Sequence, residues 1–284
     1  ILSLDAIYEI YNGINVLGFS SIEGRLAGFF GDRWLLGRFL VYILPILVAI
    51  YYLENDLFIS FKLLAYITFF LTCLTVIFSG ERAAFLILLL YFFLIFFYLI
   101  NKLSLMKLLL IILTLIFLFT MPFFFSETSV RLQDNLLLYL TSLDLNENQY
   151  LSMILTSWHM FIENPFIGVG PNNFRYVCSD EIYYISIYSC STHPHSILFQ
   201  ILAEIGIFGF IAVYSVLFYF IYKSLPHIKS KYLSKTSFGM YSLQCSLILY
   251  LFPFMITGNF FLSWYGIIFY LPIGLFMVYL EKLK

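Results

Sequence analysis

Long apolar runs separated by short polar breaks dominate this chain. Runs of about the twenty residues that a helix needs to cross a bilayer lie at 34–53, 60–79, 83–101, 107–125, 197–222, 239–257 and 260–281. Because the hydrocarbon layer offers backbone groups no water, uninterrupted runs of this length predict helices rather than strands. The pattern therefore predicts an all-α fold, a polytopic transmembrane helical bundle with about seven spans present.

The polar stretches divide the chain into four parts. Residues 1–33 mix charged, aromatic and glycine residues, which predicts an exposed outer (periplasmic) segment with at most one interfacial helix. Residues 34–125 are expected to form four transmembrane helices, 126–196 a large periplasmic loop, and 197–284 three further transmembrane helices.

The large loop has a helical pattern of its own. Apolar residues recur there at steps of three and four: Leu151, Ile154, Leu155, Trp158, Phe161 and Ile162. This spacing predicts an amphipathic helix over 147–163, lying either on the membrane or on the bundle, and ended by Asn164 and Pro165. Cys178 and Cys190 share the loop, and both a disulfide and two free thiols are open at this point.

The composition is typical of an integral membrane protein. Hydrophobic residues make up 62% of the chain and charged residues 11%, far from the roughly half and one quarter of soluble domains. A net charge of −1 gives no basic surface for nucleic acid. His193 and His195 form a His-x-His pair without an obvious third ligand, so we expect no metal there. We also expect no other cofactor.

Lysine and arginine are sorted to opposite sides of the predicted bundle. If the loop at 223–238 is cytoplasmic, alternation through the spans places every lysine inside and every arginine on the outer side. A guanidinium binds phosphate oxygens in pairs and stays charged, so this sorting favours phosphate recognition; ion pairs with outer carboxylates are the alternative. Arg82 is the strongest candidate because it stands at the entrance of a span.

The stretch at 191–209 joins a polar loop to an apolar helix. Pro194 suits the first turn of a helix, so we expect His195 to project from the start of the fifth span. Polar residues follow at four-residue intervals: Ser196, Gln200 and Glu204. They form one stripe that must face the bundle interior or a wet cavity. For Glu204, a buried carboxyl that fixes helix contacts is the alternative to a role in binding or catalysis.

Four segments together resemble one family. His195 and Ser196, followed after nine residues by Gly206-x-x-Gly209, are similar to the H-[NSQ]-x9-G-x-x-G signature of the bacterial O-antigen ligase/polymerase family. Three further motifs resemble segments of that family: RLAGFFG at 25–31, SGERA at 79–83 and ENPFIGVG at 163–170.

This resemblance implies a GT-C-like membrane glycosyltransferase that needs neither metal nor nucleotide. Its donor would be a glycan on a polyprenyl diphosphate, and its acceptor a hydroxyl of a glycan or lipid core. The protein would sit in the bacterial inner membrane with its active site on the periplasmic side. Family members commonly have ten to twelve spans, so we expect N-terminal spans to be missing here, and we expect no signal peptide.

The same resemblance suggests a role for each candidate residue. His195 and Arg82 would be catalytic. Contacts to substrate are expected from Arg25, His193, Arg131, Arg175, Ser196, Gln200 and Glu204. Polymerase and ligase activities are both open, and the alternatives are a transporter or flippase of lipid-linked glycans and a protein-directed oligosaccharyltransferase.

Overall fold

Helices dominate the part of the chain that the structure describes, and that part contains no strand. A computed structural model describes residues 1–21, 24–31, 35–54, 59–100, 102–120, 148–228, 234–253 and 258–282. The helices are α1 (Leu2–Asn12), α2 (Leu36–Leu53), α3 (Ile59–Phe78), α4 (Arg82–Leu99), α5 (Leu105–Thr120), α6 (Gln149–Glu163), α7 (Phe174–Val177), α8 (Ile197–Ile228), α9 (Lys235–Tyr250) and α10 (Ser263–Lys282). The predicted all-α class is confirmed.

A helix occupies each of the seven predicted spans. Four stretches are long and apolar enough to cross a membrane: Leu36–Leu53, Phe61–Phe78, Arg82–Leu99 and Ile197–Pro226. Two shorter apolar stretches accompany them within the described residues, Leu105–Phe117 and Gly266–Glu281. The polytopic helical membrane fold is therefore confirmed, whereas the count of seven spans and the four-part division of the chain stay predictions.

The chain forms two compact units. The first comprises residues 1–134, 224–249 and 275–284, and the second comprises 135–223 and 250–274. In the first unit α2, α3 and α4 pack against one another. The hydroxyl of Tyr91 on α4 lies 2.9 Å from that of Ser242 on α9, which ties these two helices together inside the unit.

The N-terminal segment is more tightly held than the sequence predicts. It contains one α-helix, α1, where at most one was expected, and a short 3-10 helix at Gly28–Phe30. The acidic side chains on α1 are buried rather than exposed. The Glu9 carboxylate accepts hydrogen bonds from the N–H groups of Ala27 at 2.8 Å and Gly28 at 2.9 Å, and Asp5 accepts one from Val16 at 2.9 Å. Burial is tolerated because each carboxylate is hydrogen-bonded to backbone.

In the second unit, α6 begins and ends almost where its pattern predicts. The Asn148 side chain caps its first turn by accepting from the Leu151 N–H at 3.1 Å, and the helix ends at Glu163 before Asn164 and Pro165. The face that packs inward carries small hydroxyl residues and methionines: Ser152, Met153, Thr156, Ser157 and Met160. Trp158 and Ile162, on the apolar stripe, are left exposed.

Candidate functional site

Helix α8 is broken at Gly206. The backbone there has φ 64 and ψ −165, so two helical halves meet at a residue that is not helical. The sequence predicts one unbroken span, and this expectation is wrong at Gly206. The physical reason is an intruding turn at 165–170, which lies directly against the break.

The turn supplies hydrogen-bond partners to both halves of α8. The N–H groups of Val169 and Gly170 donate to the carbonyl oxygens of Ala203 and Glu204 at 2.8 and 2.9 Å. In the other direction, the Ile207 N–H donates to the Pro165 carbonyl at 2.8 Å. A break in an apolar helix is costly unless its backbone groups find such partners.

Glu204 fixes the next part of the loop. It is almost fully buried, and its carboxylate oxygens accept from the N–H groups of Asn172 at 3.0 Å and Phe174 at 2.8 Å. The Gln200 amide also donates to it, at 3.1 Å. The carboxylate thus holds the turn that leads into α7.

Gln200 and Ser196 extend this buried polar stripe, as predicted. Gln200 donates to the Asn259 side chain at 2.8 Å and accepts from the Phe260 N–H at 2.9 Å. Ser196 donates from its hydroxyl to the Pro253 carbonyl at 3.1 Å. The stripe therefore joins the start of α8 to the segment before α10.

Arg175 faces the same stripe. Its guanidinium donates to the Asn172 side chain at 2.7 Å, and Asn259 donates to that same oxygen at 2.8 Å. The Nε of Arg175 is buried and makes no hydrogen bond to any residue in the described ranges.

His195 lies before α8 rather than on it, so the expectation that it projects from the first turn is wrong. Its φ of 58 is left-handed, which a helix cannot continue through. The helix begins at Ile197, and the carbonyl of Ser196 accepts the first helical hydrogen bond, from Gln200 at 2.9 Å. Pro194 is buried in the loop before this turn.

The side chain of His195 is set among aromatic and hydroxyl groups. Its ring centroid lies 4.1 Å from that of His193 and 5.6 Å, edge-on, from that of Tyr150. Its Nε2 is 3.5 Å from the Ser191 hydroxyl. The Thr192 hydroxyl is hydrogen-bonded to Nδ1 of His193 at 2.9 Å.

A pocket of about 110 Å³ opens beside His195. Its lining comes from the start of α6 and from the loop that precedes the histidine: Gln149, Tyr150, Met153, Tyr188, Cys190, Ser191 and His195. Apart from the histidine, none of these lining side chains from the described part of the chain is ionisable as an acid or a base near neutral pH, because Cys190 is bonded to Cys178.

Cys178 and Cys190 form a disulfide. Of the two states that the sequence leaves open, a disulfide and two free thiols, the structure therefore has the disulfide. Cys178 is buried in the core of the second unit with Met153, Met160 and Phe174, whereas Cys190 is exposed at the pocket. The bridge therefore fastens the pocket wall to the core.

The first unit holds two of the predicted arginines close together in the fold. The N–H of Leu26 donates to the Ser79 carbonyl at 3.1 Å, and Gly80, with φ 71, lies against the backbone of Gly24. The segment carrying Arg25 thus packs on the turn that precedes Arg82. Arg131 lies outside the described residues.

Arg82 and its neighbour Glu81 have different surroundings. Glu81 is buried and accepts from the Arg38 Nε at 3.0 Å and the Gly37 N–H at 2.6 Å. Burial raises the pKa of Glu81, and the Arg38 charge and the Gly37 N–H oppose that rise. Arg82 begins α4 and makes no hydrogen bond or ion pair with any residue that the structure describes.

The chain matches a known protein family over part of its length. Residues 67–214, just over half of the chain, match the O-antigen ligase family. The chain belongs to the O-antigen ligase family. A search of curated individual proteins finds no match.

The range matched to the O-antigen ligase family contains both predicted catalytic residues, His195 and Arg82, together with the Gly206 break. Arg25 lies before it. Among the described residues there is no cluster of three or more His, Cys, Asp or Glu that could hold a metal.

Several residues that line the pocket or join the buried polar stripe are absent from the sequence prediction. They are Gln149, Tyr150, Asn172, Tyr188 and Asn259. Asn172 follows a Gly-Pro pair and adopts φ 59, so turn chemistry was the available signal. Tyr188 and Gln149 have no comparable signal, because only the fold brings them to His195.

Proposed function

We propose that this member of the O-antigen ligase family transfers an O-antigen-type glycan from a polyprenyl diphosphate to a hydroxyl of a glycan or lipid-core acceptor. A membrane O-antigen ligase or polymerase role follows from the family. The observation that carries the finer proposal is the placement of His195, held out of its helix at the edge of a polar pocket.

In the proposed reaction His195 accepts the proton of the acceptor hydroxyl. The acceptor oxygen forms a bond to the anomeric carbon, while the bond from that carbon to the diphosphate oxygen breaks and its electron pair leaves with the diphosphate. Positioned general-base catalysis contributes about 10²–10⁴ in rate. His193, packed on the His195 ring, orients it.

The proposed role of Arg82 is to neutralise charge on the departing diphosphate. Two observations support it: Glu81 is engaged with Arg38, and the Arg82 guanidinium has no hydrogen-bonding partner in the described part of the chain. Arg25 and Arg131 are the further proposed phosphate contacts.

Arg175, Gln200 and Glu204 are better suited to positioning than to direct contact with substrate. Their hydrogen bonds run to protein groups, and Gln200 and Glu204 are buried. We assign them, with Ser196, to holding the loop that carries His195.

The proposed compartment is the periplasmic side of a bacterial inner membrane. The disulfide in the loop before His195 supports it, because disulfides persist in oxidising compartments. The broken helix α8 also raises a transporter, since such proteins use helix breaks at their binding sites. Here, however, the turn at 165–170 occupies the break, which favours the enzyme.

The test is complementation of a strain in which the gene is deleted. Wild type should restore surface glycan, and His195→Ala should lose transfer at equal protein level in the membrane; full activity of this variant would refute the assignment. In the deletion strain, a glycan ladder that collapses to core plus one repeat indicates a polymerase. Loss of all capped species with accumulation of lipid-linked polymer indicates a ligase.

A further inference from the structure

The side chains that line the pocket beside His195 indicate which of the two substrates of the proposed reaction, donor or acceptor, would bind there. A diphosphate calls for arginine or lysine, and none lines this pocket among the residues that the structure describes. The wall instead combines tyrosine rings with an amide, hydroxyls and the histidine. Such walls suit a neutral polyol, whose hydroxyls need hydrogen bonds and whose C–H faces need apolar contact.

Two of the polar side chains have capacity left for a ligand. Neither the amide of Gln149 nor the hydroxyl of Tyr188 makes a hydrogen bond to a residue within the described ranges, and both side chains are exposed at the pocket. Gln149 lies in the first turn of α6, and Tyr188 lies in the loop closed by the disulfide. They approach His195 from different elements.

The size of the pocket sets the scale of the ligand. Its volume of about 110 Å³ is enough for several water molecules. This is room for the hydroxyl-bearing edge of one sugar ring, with the remainder of the glycan outside. A hydroxyl seated there would lie next to Nε2 of His195, on the side where Ser191 is 3.5 Å away.

We propose that this pocket is the acceptor subsite, that it takes a single neutral sugar residue, and that Gln149 and Tyr188 determine which sugar is accepted. This inference rests on the proposed function, since it supplies the hydroxyl on which His195 acts. Sites that hydrogen-bond a particular substrate hydroxyl discriminate strongly against substrates that lack it.

The binding test uses the full-length protein in lipid nanodiscs with neutral methyl glycosides as probes, including those of glucose, galactose, rhamnose and N-acetylglucosamine. Saturation-transfer NMR detects weak contacts of each probe. At least one glycoside should give a signal with wild type. That signal should fall at least fivefold in Tyr188→Phe and in Gln149→Leu. It should persist in Tyr184→Phe, a matched control on the same loop that does not line the pocket.

Inorganic pyrophosphate serves as the competing probe for the donor side. It should not displace the glycoside. Displacement by pyrophosphate, an unchanged signal in both pocket variants, or the absence of a signal from every glycoside with wild type would each overturn the acceptor subsite.

Cell-based transfer by the same variants separates this inference from the proposed function. If His195→Ala loses transfer while Tyr188→Phe and Gln149→Leu bind glycosides like wild type, the subsite is wrong and the function stands. If His195→Ala keeps full transfer, the proposed function fails whatever the glycoside signals are.

Discussion

Gly168 and Gly206 form a reciprocal pair. A Cβ added to Gly168 would clash with the backbone of Glu204, and a Cβ added to Gly206 would clash with the backbone of Phe166. Both glycines also have left-handed backbone, with φ 67 and 64. Glycine is therefore required at each position for two reasons: the left-handed backbone conformation, and the close approach of the turn to helix α8.

We predict that Gly168→Ala and Gly206→Ala each destabilise the protein. Backbone strain alone costs about 1–3 kcal/mol, and the clash adds to it because backbone cannot rotate away. Thermal unfolding in detergent should show a clearly lower midpoint for each variant. Gly274→Ala is the matched control, since a Cβ there meets nothing within 4 Å. A midpoint like that of wild type for Gly206→Ala would contradict the packing described.

A second prediction concerns Glu204→Gln. Each carboxylate oxygen accepts a backbone N–H, from Asn172 or from Phe174, so the new amide nitrogen must leave one buried donor without an acceptor. Hydrogen bonds to a charged group are worth about 1.5–3 kcal/mol, and stability should fall by that amount. Glu163→Gln, exposed at the end of α6, should have no measurable effect. Equal midpoints for the two variants would show that Glu204 does not hold the loop.

We predict that substitution of Arg38 lowers stability, whereas substitution of Arg82 lowers activity. Arg38→Ala leaves the buried Glu81 carboxylate without its ion pair, which costs on the order of 3 kcal/mol and lowers the unfolding midpoint. Arg82→Lys should keep the midpoint but lose most transfer, because an ammonium cannot bind diphosphate bidentately. Near-normal transfer by Arg82→Lys would remove Arg82 from the proposed mechanism.

The disulfide offers a test of topology. Cys178→Ser leaves Cys190 as an exposed thiol, whereas Cys73 and Cys245 are buried. A membrane-impermeant maleimide added to intact spheroplasts should label this variant and leave wild type unlabelled. The variant with serine at both positions 178 and 190 is the background control. Labelling that occurs only after the spheroplasts are permeabilised would place the loop in the cytoplasm and contradict a periplasmic active site.

Much of the helical framework can be predicted from hydrophobic periodicity. Each long apolar run corresponds to a helix because the number of residues needed to cross a bilayer is a physical constant of the membrane. The bounds of α6 follow equally well from its period and from Asn164 and Pro165. The buried stripe of Ser196, Gln200 and Glu204 was predictable because four-residue spacing places side chains on one helix face.

The break in α8 and the position of His195 could not be predicted in the same way. Hydropathy does not reveal a helix break whose hydrogen-bond partners come from a distant turn, and Gly206 stands inside a stretch that is long and apolar enough to span a membrane. Pro194 suits a first helical turn, yet the left-handed backbone at His195 delays the helix until Ile197. Likewise, the pocket walls at Gln149 and Tyr188 meet only through tertiary packing.

The interrupted helix α8 has a consequence for how the protein is made. Its carbonyls at Ala203 and Glu204 depend on N–H groups from Val169 and Gly170, and this turn leaves the ribosome before the break does. When α8 emerges, the hydrogen-bond partners for the backbone on both sides of its break have already been synthesised. The turn is thus synthesised before the backbone groups that it pairs with. In a chain permuted so that the turn follows α8, the break would enter lipid with its backbone groups unpaired.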